Sequence, residues 1–267
     1  MTSANAPVLD VANLVTHYGD RQVLTDIDLS VHPGEIMVIM GGSGSGKSTL
    51  LNHLLGLLAP SEGSVKVLGE DINGLDGVSL TRLRQRMGVA FQGGALFSSM
   101  TVGENIMLPL REHTRLDAQT MHIMARLKME VVNLAGFEDL MPAELSGGMV
   151  KRAAFARAIV MDPQILFCDE PSAGLDPIVA STIDQLILDL RAAFGMTVVV
   201  VTHELDSALT IADRICVLDQ GEIRVTGTVD EVKACPDQRV QALLNRRAES
   251  VDVDPERYLE RLTGDIL

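Results

Sequence analysis

Glu35-Ile36-Met37-Val38-Ile39-Met40 runs directly into Gly41-Gly42-Ser43-Gly44-Ser45-Gly46-Lys47-Ser48-Thr49. The first part is nearly continuous apolar sequence, as expected of a central parallel strand covered on both faces. The second satisfies G-x-x-x-x-G-K-[ST], and beyond it Leu50, Leu51, Leu54 and Leu55 recur at helical spacing. Strand, glycine turn and helix, in that order, are the setting in which such a loop cradles phosphate. Backbone N–H groups wrap the oxygens and the helix N-terminus adds a favourable dipole. Lys47 would then reach the β- and γ-phosphates and the Ser48 hydroxyl would ligate Mg²⁺. The bland alternative is a flexible glycine turn, but the pattern arises by chance in roughly one chain in a hundred of this length.

Outward from this loop the chain alternates strands and helices. Upstream, Ile27, Leu29 and Val31 alternate with Asp26, Asp28 and Ser30, the period of a half-buried strand, until Pro33-Gly34 breaks it. Downstream, a short strand over 65–68 and a helix near 79–86 lead to a strand at 87–91. From about Gln92 to Val160 apolar residues recur at helical spacing, methionines cluster and no strand is evident. This reads as an inserted helical subdomain. The α/β pattern resumes with a strand at 165–169. Asp176-Pro177 then looks like an N-cap followed by proline at the first helical position. Val179, Ile183, Leu186, Ile187, Leu190 and Phe194 would share one face of that helix, and Gly195 would end it. Residues 197–201 and 215–218 are further strand-like runs.

Charge and composition exclude several roles. With 22 Lys+Arg against 36 Asp+Glu the formal net charge is −14. That argues against the basic face that nucleic acid demands and against docking by charge on anionic lipid. At 46% apolar and 22% charged residues, the chain is not intrinsically disordered. Cys168, Cys216 and Cys235 are odd in number and widely spaced, which suits a reducing compartment rather than a disulfide framework. MTSANAPVLDVANLV lacks the features of a signal peptide, and no apolar stretch reaches the ~18 residues that span a bilayer. A cytoplasmic protein is expected.

Other residues carry chemistry. Ile165-Leu166-Phe167-Cys168-Asp169-Glu170 is an apolar strand ending in two acids. Beside a phosphate loop, Asp169 would hold Mg²⁺ and Glu170 would orient or deprotonate an attacking water. Cys168 reads as a small core residue. Leu145-Ser146-Gly147-Gly148-Met149 precedes a helix running to Met161, and an N-cap serine followed by glycines offers a hydroxyl and free N–H groups to an anion. Alone, that pentapeptide reads equally as an ordinary capped helix.

The order of the pieces carries more weight than any one of them. Phosphate loop, Gln92, LSGGM, the paired acids, Ser172-Ala173-Gly174-Leu175-Asp176 and Val201-Thr202-His203 together resemble the ATP-binding-cassette (ABC) ATPase family. The resemblance spans about residues 8–235. It implies a P-loop NTPase (RecA-like) α/β core with an N-terminal antiparallel β subdomain and an inserted helical subdomain at about 92–160. The ATPase domain would occupy residues 1–247, and 248–267 would form a C-terminal extension. It also implies a head-to-tail dimer with two ATPs sandwiched between the P-loop of one copy and Ser146, Gly147 and Gly148 of the other.

By the same resemblance, residues Gly41 to Thr49 bind nucleotide and Tyr18 stacks on adenine. Gln92 touches Mg²⁺ and water, His203 contacts the γ-phosphate, and Asp176 lies at the dimer seam. The signature departs from the common pattern in ending with Met149, where glutamine is usual.

Residues 91–106, with Leu108-Pro109-Leu110 and Lys151-Arg152-Ala153, are similar to the Mla/MCE-type ATPases. That likeness implies phospholipid trafficking between inner and outer membranes, powered from the cytoplasmic face of the inner membrane. Expected partners are two permease subunits, MCE-domain lipid-binding subunits and a STAS-domain regulator, with no nucleic acid. Leu96, Phe97, Met100 and Met107 read as either a groove for a partner helix or subdomain core. The alternatives are another ABC importer or exporter, a soluble ABC protein acting on nucleic acid, and a nucleotide switch with negligible turnover. Intact Glu170 and the acidic charge argue against the last two. In the tail, Asp254-Pro255-Glu256 predicts a short helix over 254–262 whose Tyr258, Leu259 and Leu262 would clasp the neighbouring copy or a regulator.

Overall fold

The structure, a computed structural model, describes residues 6–245. Its centre is β3 (Ile36–Met40), every residue of which is fully buried. β3 pairs in parallel with β8 (Thr197–Thr202) on one side and β9 (Arg214–Asp219) on the other. The sheet continues from β8 to β7 (Ile165–Asp169) and β6 (Met87–Ala90), both parallel, and from β9 to antiparallel β10 (Glu222–Thr228). Both of its faces are covered, as continuous apolar strands require. Ile36, Val38, Met40, Leu166, Cys168, Val198 and Val200 enter one apolar cluster, while Met37, Ile39, Ile165, Phe167, Val199 and Val201 enter another. The period of two thus divides each strand between two cores.

The second core is closed by α1 (Lys47–Leu54) and by an antiparallel sheet in the order β2-β1-β4-β5. Its strands are β1 (Leu9–Tyr18), β2 (Arg21–Val31), β4 (Glu62–Val67) and the short β5 (Glu70–Asp71). α2 (Gly77–Arg84) follows, capped by Asp76. The first core is closed by helices. Between β6 and β7 lie α3 (Val102–His113), α4 (Ala118–Val131) and α5 (Gly147–Ala158). After β7 come α6 (Pro177–Phe194) and α7 (Leu205–Ile211), and the described chain ends with α8 (Val229–Ala234) and α9 (Gln238–Leu244).

The expected elements at 36–40, 65–68 and 165–169 are present with boundaries moved by at most a few residues, and the strand expected at 27–31 starts earlier, at Arg21. Some expectations need correcting. The helix after Ser146 ends at Ala158 rather than Met161, and Asp162 turns the chain at φ 50°. Phe194 does not face inward with Ile183 and Leu190. It is 41% exposed at the last turn of α6, where the Lys128 ammonium stands 4.6 Å from its ring centroid. The pattern gave no warning of β5, β10, α7, α8 or α9. The tail helix expected at 254–262 lies outside the described residues.

Candidate functional site

The C-terminal ends of the parallel strands form one edge, the place where open α/β sheets bind ligands. From β3 the chain enters the glycine loop. A β-carbon on Gly41 would sit 2.0 Å from the Leu218 carbonyl oxygen, so only glycine fits there. Gly46, at φ 108°, precedes α1 without any side-chain cap. By contrast, α2 to α6 each begin behind an Asp, Thr or Ser that accepts a backbone N–H. The first-turn donors of α1 are therefore left for an external anion. Lys47 lies buried beneath the loop, its Nζ donating to the carbonyls of Gly41 (2.8 Å) and Gly42 (2.9 Å). Burial pushes its pKa down, and the nearby Glu170 and Asp169 carboxylates oppose that. Ser43, Gly44 and Ser48 are exposed along the loop, Thr49 is half-buried, and Ser45 is buried with its hydroxyl unpartnered.

Beside the loop, β7 ends at Asp169 with Glu170 next in the chain, and β8 ends at Thr202 with His203 next. Glu170 Oε1 lies 2.8 Å from His203 Nδ1, and Thr202 Oγ1 donates to Glu170 Oε2 at 3.1 Å. The backbone N–H of His203 donates to the same oxygen at 3.4 Å. Glu170 itself is at φ 48°. Burial raises the pKa of Asp169, the neighbouring Glu170 raises it further, and Lys151 and Lys47 pull it back. One strand further out, exposed Gln92 follows β6. Strand order alone thus draws the P-loop, Asp169, Glu170, His203 and Gln92 onto one edge. Thr202, quoted in the sequence only as a neighbour of His203, turns out to hold the carboxylate. Cys168 is wholly buried among apolar side chains and its thiol is pushed far up in pKa by that burial.

The donor set suits Mg²⁺. Ser48, Asp169 and Gln92 all offer hard oxygen atoms, and no three His, Cys, Asp or Glu side chains converge among the described residues. Such a site needs phosphate oxygens to complete it, as Mg²⁺ sites in nucleotide enzymes do.

Tyr18 is half-exposed at the end of β1, in the hairpin whose Leu24 touches Gly46. Ser146 is exposed at the start of α5. Its hydroxyl accepts the Met149 N–H at 3.3 Å, and beside it Gly147 and Gly148 pack on Leu175 and Val179. A β-carbon on Gly148 would lie 2.7 Å from Val179, so the glycine lets α5 meet α6. Met149 is half-buried against the first core, which gives a methionine there a packing role. Asp176 accepts the N–H groups of Ile178 and Val179 as the α6 cap. Leu96 and Met107 pack on the core, while Phe97 is 52% exposed. Buried Asn105 holds Phe97 there, accepting its N–H at 2.7 Å and donating to its carbonyl at 3.1 Å.

A glycine loop opening α1, paired acids ending β7 and a histidine ending β8 define a nucleotide-hydrolysing P-loop site. Residues 24–173 match the ABC transporter family model, and the chain belongs to that family as an ATP-binding subunit and ATPase. It is 41% identical, over 92% of its own length and 91% of the relative's, to the intermembrane phospholipid transport system ATP-binding protein MlaF of Escherichia coli K12. The MlaF of Haemophilus influenzae is 40% identical over 90% of this chain and 91% of its own. The "probable ribonucleotide transport ATP-binding protein mkl" of Mycobacterium leprae is 38% identical, with 69% of its length covered. Among solved structures, a dimeric ATP-binding cassette in a post-hydrolysis state, bound to ADP and Pi, superposes with a TM-score of 0.76 at 34% identity. That superposition covers 83% of this chain and 98% of the cassette. The cbiO1 protein of Clostridium perfringens does so with a TM-score of 0.80 at 28% identity, over 96% and 99%. No helix among the described residues is long and apolar enough to cross a membrane.

Proposed function

We propose that two copies of this chain pair head to tail and energise phospholipid traffic between inner and outer membranes, working at the cytoplasmic face of the inner membrane. Each ATP lies on the residues Gly41 to Thr49 of one copy, with Tyr18 against adenine, and is covered by Ser146, Gly147 and Gly148 of the other. Asp176 stands at the seam. Ser48, Gln92 and Asp169 hold Mg²⁺, which when bound neutralises phosphate charge. Glu170 positions and deprotonates the attacking water, and His203 bridges Glu170 to the γ-phosphate.

The observation that carries the chemistry is the Glu170–His203 contact of 2.8 Å at the strand end beside Lys47. What supports the cargo is the likeness to MlaF over nine-tenths of both chains. Exposed Phe97, beside Gln92 in the same loop, is where permease subunits dock. MCE-domain subunits and a STAS-domain regulator complete the complex, with residues 248–267 as a clasp. Co-purification with a membrane permease, followed by ATP-dependent transfer of fluorescent phospholipid between vesicles, tests the reading. ATP turnover stimulated by ribonucleotide instead would move the cargo toward that named for the mycobacterial relatives.

A further inference from the structure

Lys151 lies in the first turns of α5 and is only 7% exposed. A lysine near a surface ordinarily extends its ammonium to water. This one turns inward. Its Nζ donates to the backbone carbonyl of Gln92 and, at 2.9 Å, to that of Glu170. Those residues follow adjacent parallel strands, β6 and β7, in which Ala90 stands opposite Cys168.

The backbone explains why a cation is needed. Glu170 sits in the left-handed region at φ 48°, a strained conformation for a residue with a β-carbon. Its N–H is held by the Val201 carbonyl at 2.8 Å, so β8 fixes one side of the turn. The other side, its carbonyl, accepts from Lys151 and from the more distant Ala173 N–H at 3.3 Å. Further along the same helix, the Arg157 guanidinium donates to the carbonyls of Gly94 (2.7 Å) and Ala95 (2.6 Å). Both of these also have positive φ, 75° and 48°. α5 therefore grips the loop after β6 and the loop after β7 through cations directed at backbone oxygens, which are stronger acceptors for charged donors than for neutral ones.

We infer that Lys151 is a positioning residue for ATP hydrolysis: it ties the backbones of Gln92 and Glu170 to α5. The water-directing residues of a chain then take their working geometry only when the helix behind that chain's own Ser146 is seated. This rests on the roles proposed for Gln92 and Glu170.

The test compares Lys151→Met, Lys151→Arg and Glu170→Gln in the full chain, with ATP turnover, binding of a fluorescent ATP analogue and thermal unfolding as readouts. Lys151→Met keeps most of the stem and loses both donors. Its kcat should fall about tenfold or more, since small misplacements at a reacting centre are costly. Nucleotide affinity should stay within about twofold, the split expected when only transition-state geometry is lost. Lys151→Arg should recover most of kcat. A packing role would instead lower Tm and nucleotide affinity together, and the larger arginine would do no better than methionine. That result overturns the inference, as does an unchanged kcat in Lys151→Met. If Lys151→Met does not fold, Lys151→Gln replaces it against Lys151→Arg with the same criteria. Full turnover in Glu170→Gln removes the underlying role of Glu170, whereas an inactive Glu170→Gln beside a fully active Lys151→Met refutes the positioning alone.

Discussion

α1 and α5 both begin at glycines, and they begin in opposite circumstances. α1 follows Gly46 with no side-chain cap, and Lys47, Asp169 and Glu170 gather beside it. α5 follows Ser146, which caps its own helix, and the side chains packed on its glycines are apolar Leu175 and Val179. One helix end has the machinery for phosphate chemistry around it, and at the other the described side chains nearest its glycines are apolar. The difference teaches that a helix N-terminus by itself does not make a reaction site. It also motivates the proposed pairing, in which the capped, exposed start of α5 lies opposite the equipped end of α1 in a second copy.

The comparison is sharpened most by Glu170→Gln. Removal of the base should cut phosphate release about 10²–10⁴-fold while ATP still binds. Stopped turnover should also trap an ATP-dependent dimer visible by light scattering. Near-normal turnover would break the assignment of the α1 neighbourhood as the reacting half. Ser146→Arg attacks the other half. A long cation at the exposed start of α5 should hold an apposed nucleotide out of place and lower kcat by about 10²-fold. Nucleotide binding to each chain should persist, as titration with a fluorescent analogue would report. Unchanged hydrolysis in the assembled transporter would mean that α5 takes no part. Lys47→Ala should act on affinity itself. Hydrogen bonds from a charged donor are worth about 1.5–3 kcal/mol, so the Kd for ATP should rise about 10- to 100-fold.

How far these two helix ends were legible in the sequence follows from what each depends on. The α1 end is local: strand, glycine loop, lysine and helix are consecutive, so 36–55 could be read directly. Asp176 as a cap before Pro177 was legible for the same reason. The Glu170–His203 contact joins residues 33 positions apart. It became an expectation only through the order of motifs, because pairing of β7 with β8 is set by the whole sheet. Thr202 and Lys151 stood in the stretches that carry the resemblance, but their contacts with Glu170 were not legible, since a threonine ending a strand and a lysine on a helix are commonplace until their partners are known. Phe194 was misread because helical periodicity does not register that the last turn has run past the core. Short edge elements such as β5 and β10 depend on pairing across the chain, which alternation over a few residues cannot encode.

The smallest expected effect concerns what braces α1 at its other end. His53, in the last turn of α1, is fully buried. Its Nδ1 lies 2.9 Å from the Leu58 carbonyl, which can only accept, so Nδ1 carries the proton and donates. Nε2 is then the acceptor for the Thr16 hydroxyl at 2.7 Å. The neutral ring is satisfied on both sides, and it links α1 to β1, the strand that ends at Tyr18. Burial lowers the pKa of His53 below its ordinary 6.5, with the Leu58 hydrogen bond opposing in part. The unfolded chain therefore binds the proton more readily than the folded one. The contribution of His53 to stability is complete above pH 6.5 and is lost as the pH falls from 6.5 through the lowered native value. His53→Gln retains an amide donor toward Leu58 and an oxygen toward Thr16 but does not titrate. It should melt lower than the parent at pH 7.5, and the gap should narrow at pH values below 6.5. The many carboxylates destabilise both proteins alike in acid, so the difference between the two Tm curves isolates the histidine. Parallel curves from pH 7.5 down to 5 would show that His53 braces α1 without sensing protons.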